Sequence, residues 1–146
     1  MNMMEVKVQY KDDTIRGLFA DQKFSKSNII LILRGNKFPK PTRTSIQIRD
    51  KHIEHYEGGF MNHHCNPTAK ILVIDDIEDG IVVAKRNIFK GEEITFDYET
   101  TEEIMAAPFE CECHGRLISG WNAFQRVLTN KDPYDNDEFA RSFEEE

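Results

Sequence analysis

Phe60-Met61-Asn62-His63-His64-Cys65-Asn66-Pro67 and Gly91-Glu92-Glu93-Ile94-Thr95-Phe96-Asp97-Tyr98 are the two stretches from which the fold is read. The first sets polar groups and a thiol between an aromatic residue and Pro67, and the proline disfavours helix at Asn66. The second is a turn glycine and a pair of acids, then a strand whose alternate residues Ile94, Phe96 and Tyr98 form one apolar face. Each alone has an ordinary explanation. His63 and His64 read as surface or hydrogen-bonded core histidines, and the second stretch as a half-buried strand.

Outward from these stretches, short apolar or alternating segments recur between turn signals. Val6–Tyr10 alternates, Ile29–Leu33 is a continuous apolar run, and Ile46 and Ile48 alternate with polar neighbours. Ile71–Ile74, Ile81–Ala84 and Ile94–Phe96 are rich in β-branched residues, which favour strands. Asp79-Gly80 reads as the hairpin turn between two of these, and Lys90-Gly91 as the turn before the third. Gly35–Arg43, with Pro39 and Pro41, reads as an irregular connection. Gly120–Leu128 and Tyr134–Phe143 read as short helices. The expectation is a mainly β fold of many short strands with a helical tail.

The 146 residues fit one domain, and 39% hydrophobic content supplies a modest core. No apolar run approaches the roughly 18 residues of a membrane-spanning helix. Met1–Tyr10 lacks the basic-then-apolar pattern of a secretory leader, so the expectation is an intracellular, nuclear or cytoplasmic protein with no membrane partner. A net charge of −7 argues against general phosphate-backbone binding and suits a basic partner. The three cysteines, Cys65, Cys111 and Cys113, do not suggest a disulfide framework.

Two more segments complete the pattern: Arg16-Gly17-Leu18-Phe19-Ala20 near the start, and Phe109-Glu110-Cys111-Glu112-Cys113-His114-Gly115 continuing to Ile118-Ser119-Gly120-Trp121. In this order the four segments resemble the SET family of protein lysine methyltransferases. That family carries a glycine turn before Phe-Ala, a motif close to Asn-His-Ser-Cys-x-Pro-Asn, then Gly-Glu-Glu-Leu-Thr-x-Asp-Tyr, then a cysteine-rich post-SET tail. The resemblance covers roughly residues 5–128. It implies a single SET domain over 1–146, with a core over about 5–100, a post-SET-like tail over about 101–128 and an acidic helix or tail over 129–146. The implied fold is a β-clip-like set of short curved sheets with a threaded C-terminal segment.

The resemblance also implies an activity: methyl transfer from S-adenosyl-L-methionine to a lysine amine of a basic protein or peptide, a histone-like tail among the options. Tyr98 matches the catalytic tyrosine and Phe96 the residue beside the lysine channel. Asn62 and His63 match the cofactor-binding pair. Arg16, Gly17 and Leu18 should approach the cofactor with their backbone, and Phe109 and Trp121 should pack the tail over it. Cys65, Cys111 and Cys113 fall in the segments that bind zinc in relatives with four thiolates. With two tail cysteines, a fourth ligand would have to be His114, another residue or water, and three reduced thiols without metal is the alternative. His52 and His55 form a separate His-x-x-His pair. Ile15 stands where the family has another glycine, His64 where it has serine and Thr68 where it has asparagine. The alternative functions are a catalytically weak SET-like binding module and a small zinc-binding interaction domain.

Overall fold

The computed structural model describes residues 5–74, 76–77, 79–102, 105, 108–115 and 117–118. Among them the chain forms short strands in four sheets and two single-turn 3-10 segments, Gly58–Phe60 and Tyr98–Thr100. The strands are β1 (Val6–Tyr10), β2 (Arg16–Ala20), β3 (Ile29–Leu33), β4 (Asn36–Phe38), β5 (Ile46–Ile48), β6 (Lys51–Glu54), β7 (Asn62–His63), β8 (Ala69–Ile74), β9 (Asp79–Ala84), β10 (Glu93–Phe96), β11 (Phe109–Glu110) and β12 (Leu117–Ile118). The sheets run β1-β2-β10-β7, β3-β9-β8, β4-β6-β5 and β11-β12. The fold is mainly β, as the sequence pattern requires. The helices expected over Gly120–Leu128 and Tyr134–Phe143 lie outside the described residues.

The hydrophobic pattern explains where the sheets face. Leu18 and Ala20 from β2, Leu33 from β3, Ile48 and Ile53 from β5 and β6, Ile71 and Val82 from the β8–β9 hairpin, and Ile94 from β10 meet in one core. Fully burying an aliphatic side chain of this kind contributes about 1.5–3 kcal/mol. In β3 the run Ile29–Leu33 buries Ile30, Leu31 and Leu33 and exposes Ile29 and Ile32. It escapes strict alternation because the register against β9 shifts between Ile29 and Leu31, a bulge.

Two expectations are corrected. The hairpin between the two β-branched runs forms, but Asp79-Gly80 is paired strand rather than turn, with Ile74 opposite Asp79 and Val73 opposite Gly80. Asp79 is buried and its carboxylate accepts from Arg34 Nε at 3.0 Å and Lys37 Nζ at 3.1 Å. Gly80 lies under the side chains of Ile48 and Leu33. Ion pairing and close packing thus use residues whose local chemistry favours a turn. The second correction is in Gly35–Arg43, where Asn36–Phe38 forms β4 against β6. The prolines begin only after that strand, so they do not remove a ladder donor from it.

Gly35 is what lets β4 enter beside β6. A Cβ there would lie 2.2 Å from the carbonyl oxygen of Glu54. Gly35→Ala is therefore expected to destabilise the fold by about 3 kcal/mol, read as a fall in the urea midpoint at unchanged slope. An unchanged midpoint would contradict the pairing of Asn36 with Glu54.

Candidate active site

The site is assembled by a short parallel pairing. Thr95 lies opposite Asn62 and Phe96 opposite His63, so β10 and β7 bring the two decisive stretches side by side. Parallel strands need a long connection, and the β8–β9 hairpin lies within it. The polar side chains of the second stretch do the joining. Glu93 Oε2 accepts from Asn62 Nδ2 at 2.8 Å. Thr68 and Thr95 exchange backbone-to-hydroxyl hydrogen bonds at 3.1 and 3.0 Å. Asp97 Oδ1 lies 3.6 Å from His63 Nδ1. Glu93, Thr95 and Asp97 alternate with the apolar Ile94 and Phe96, so one face of β10 serves the core while the other binds the first stretch.

Past β10 the chain turns sharply at Tyr98. Asp97 caps the 3-10 turn by accepting from the Glu99 amide at 3.0 Å, and the Glu102 amide donates to Tyr98 O at 2.8 Å. The Tyr98 hydroxyl donates to Met61 O at 2.5 Å, and the Tyr98 amide donates to His63 Nδ1 at 3.1 Å. A neutral His63 therefore carries its proton on Nε2. The Tyr98 ring meets Phe96 at 4.8 Å and stands edge-on to His63 and Phe109 at 5.4 and 5.8 Å. Burial, and then the negative charges of Glu102 and Glu93, push the Tyr98 hydroxyl far above the usual phenol range, so it stays protonated at any working pH.

A cleft open to solvent lies against this turn. Its walls include Ile46, Met61, Phe96, Tyr98, Glu102 and Met105. Phe96 is 2% exposed, so only a small part of its ring is presented there.

The first motif sits on the far side of Asn62. Arg16 O accepts from Asn62 Nδ2 at 3.0 Å, and the Arg16 guanidinium lies over the Phe60 ring at 4.7 Å. A Cβ on Gly17 would meet Glu93 Oε2 at 2.8 Å and Asn62 Nδ2 at 3.1 Å, so the missing side chain makes room for that hydrogen-bonded pair. The Leu18 side chain is wholly buried in the core, which leaves its backbone as all it can offer a ligand. Ile15 is tolerated where a glycine was expected. The turn before it is closed by Asp12, whose carboxylate accepts from the amides of Thr14 and Ile15 at 2.8 Å each. Among the described residues positive φ outside glycine occurs at Ser27 and Arg49, not at Ile15.

The three cysteines converge with His63. The ligating atoms of His63, Cys65, Cys111 and Cys113 all lie within 4.8 Å of one another. Cys65 Sγ is 3.8 Å from Cys111 Sγ and 3.3 Å from His63 Nε2, and the Cys65 amide donates to Cys113 Sγ at 3.4 Å. A tetrahedral zinc with Zn–S near 2.3 Å has an S–S edge of about 3.8 Å, so the separations fit that ion. The group recruits His63 rather than His114, which is exposed. His52 and His55 stay apart from it: His52 is buried with Nδ1 unpartnered, and His55 Nδ1 accepts from the Gly58 amide at 3.0 Å. Trp121 lies outside the described residues.

Three participants were not singled out from sequence. Glu93 was read only as part of a turn, although its alternation with Thr95 and Asp97 is the signal of a second, polar face. Met61 contributes a carbonyl, which no side-chain pattern reveals. Glu102, buried beside the cleft, looked like one acid among many in an acidic chain.

Comparison with known proteins gives the following likenesses. Residues 39–99 match the family model described as SET domain. A Candida glabrata histone-lysine N-methyltransferase, H3 lysine-36 specific, is 49% identical over 57 residues, covering 37% of this chain and 8% of that protein. The Dictyostelium discoideum histone-lysine N-methyltransferase set1 is 44% identical over 55 residues, covering 36% of this chain and 4% of that protein. The chain thus spans less than a tenth of the length of these relatives. The crystal structure of a Plasmodium falciparum protein assigned as a histone methyltransferase superposes with a TM-score of 0.53 at 21% identity, covering 66% of this chain and 95% of that one. Residues 39–99 thus carry the SET-domain match, and over that part the chain is similar to SET-domain histone-lysine N-methyltransferases.

Proposed function

We propose that the chain transfers a methyl group from S-adenosylmethionine to the side-chain amine of a lysine in a basic, histone-like protein, in an intracellular setting. The observation that carries the reading is the Tyr98 hydroxyl, fixed on Met61 O beside a cleft walled by Phe96, with Asn62 and His63 on the paired strand. The names of the relatives support a histone-like substrate, and the net charge of −7 supports a basic one.

The geometry supports a division of labour. The methyl donor supplies an electrophilic carbon on a positively charged sulfur. Asn62 and the backbone of Arg16 and Gly17 would hold that donor, on the side of β7 that faces β2. Tyr98 cannot be the base, because its hydroxyl stays protonated. Its hydrogen is spent on Met61 O, which leaves the phenol oxygen able to accept an amine N–H and so aim the nitrogen lone pair. Making a neutral lysine amine at pH 7 costs about 4.6 kcal/mol in water. Desolvation against Phe96, Met61 and Ile46 offsets part of that cost by disfavouring the ammonium. Alignment within the cleft supplies much of the remaining acceleration.

Zinc belongs to the same proposal. Cys65, Cys111 and Cys113 as thiolates, with His63 through Nε2, would hold it and so tie the tail to the first stretch. For His63 to serve in that way it has to release the Tyr98 amide from Nδ1 and carry its proton there instead, facing Asp97.

Tyr98→Phe is expected to lower labelled-methyl transfer to core histones by about 100-fold or more while leaving the thermal melt intact. Transfer undiminished in that variant, or none from the wild type to any basic protein, would contradict the reading. Because Phe96 has no hydroxyl to restrain a methylated amine, mass spectrometry should find dimethyl- or trimethyl-lysine, and Phe96→Tyr should shift the product toward monomethyl-lysine. A wild-type product confined to monomethyl-lysine counts against this role for Phe96. Elemental analysis of the purified chain should give about one zinc per molecule, lost in Cys111→Ser. Metal-free protein with an unchanged melt would remove zinc from the account.

A further inference from the structure

We propose that Glu102 is the acidic residue of the lysine cleft: it receives the incoming ammonium and accepts its proton before methyl transfer. The inference rests on the function proposed above and adds to it the group that takes the proton. Tyr98 cannot, and that reading names no other acceptor.

The placement begins with the turn. The Glu102 amide closes on Tyr98 O at 2.8 Å, which returns the Glu102 side chain to the same cleft that Tyr98 lines. Glu102 is 5% exposed. Its Oε2 accepts from the Gln47 amide at 2.7 Å and from Thr101 Oγ1 at 2.8 Å, and both of these bonds fall on that one oxygen. Among the described residues Glu102 forms no ion pair, although a buried carboxylate without a cation is costly. Among the described residues, the other charged or titratable groups lining the cleft are Arg43, which is exposed, and the neutral Tyr98; Gln47 and Thr101, which pack on the carboxylate, carry no charge. Thr42, Thr44 and Ser45 add hydroxyls to the wall, and Ile46, Met61, Phe96 and Met105 offer apolar surface to an aliphatic stem. A site with an apolar strip, one buried carboxylate and one fixed phenol oxygen has the chemistry of a primary alkylammonium receptor.

Burial pushes the Glu102 carboxyl up to about 7, against the lowering effect of the Gln47 amide and the Thr101 hydroxyl. That brings it closer to an amine than a surface carboxylate would be, as a general base requires. In the step, a proton passes from the lysine nitrogen to Glu102 Oε1, leaving a neutral amine and a neutral carboxylic acid. The freed lone pair forms the N–C bond to the sulfonium methyl as the C–S bond breaks, and its electrons stay on sulfur as a neutral thioether. The methylated ammonium leaves or is deprotonated again after Glu102 has released its proton to solvent.

The test uses the full chain, Glu102→Gln and Glu102→Asp, with thermal melts as a check on folding. The first readout is binding of n-butylammonium, followed by NMR of the methionine methyl groups, and it needs no methyl transfer. Binding should weaken at least about 10-fold in Glu102→Gln and less in Glu102→Asp. The second is transfer to core histones from about pH 6.5 to about pH 10. The wild-type rate should rise through about pH 7 as Glu102 ionises. Glu102→Gln should be slower by about 100-fold near neutrality, and the deficit should narrow toward the ordinary lysine pKa, where the amine needs no base. Equal n-butylammonium binding by wild type and Glu102→Gln, or a deficit that does not change with pH, overturns the proposal. A Glu102-dependent amine site in a chain that transfers no methyl would uphold the receptor and count against the methyltransferase reading alone.

Discussion

Everything in the site depends on the two-residue parallel pairing of β7 with β10. So short a ladder is weak by itself, because parallel pairs are slightly less stable per residue than antiparallel ones and this one offers few backbone bonds. It is held by side chains instead. The Thr68–Thr95 exchange is buried at its centre, Glu93 grips Asn62 at one end, and His63 accepts the Tyr98 amide at the other. Buried and mutually satisfied polar groups fix a single register, since a slip would leave each without its partner. That register sets the Asn62 side chain against β2, the Tyr98 ring against Met61 and the His63 ring among the cysteines.

The consequence for chemistry is a division between two sides of one strand pair. Toward β2 lie the carbonyl of Arg16, the packed Gly17 and the Asn62 amide. Toward the cleft lie Tyr98, Phe96 and Glu102. Met61 joins the two sides, being adjacent to Asn62 in sequence and accepting the Tyr98 hydroxyl through its carbonyl. A methyl group handed from one side to the other would pass close to that phenol oxygen. The aromatic contacts among His63, Phe96, Tyr98 and Phe109 restrict how the Tyr98 ring can turn, preorganisation of the kind the proposed in-line displacement would need.

Much of this was legible in the sequence. β-branched runs gave the strands, and Ile29–Leu33 and Val6–Tyr10 were read to the residue. The two stretches that pair could be picked out because each mixes residue types a plain strand has no use for. What was not legible is instructive. Asp79-Gly80 has the local chemistry of a turn, and only Arg34, Lys37 and the space beneath Ile48 make it a strand. β4 was hidden among prolines and is specified by β6 rather than by its own residues. The partnership of His63 with the cysteines depends on where β10 places the tail, which spacing does not encode. Among the described residues Glu102 shares its burial with Asp79 and differs from it in having no cation as partner.

The measurement that bears most directly on the account is calorimetric binding of S-adenosylmethionine to the full chain, with Asn62→Ala alongside. The account predicts one site per chain, weakened about 10-fold or more when the Asn62 amide is removed, a loss of about 1.4 kcal/mol or more. No binding by a folded wild-type chain, or binding indifferent to Asn62, would contradict the claim that the β7–β10 pairing builds a methyl-donor site.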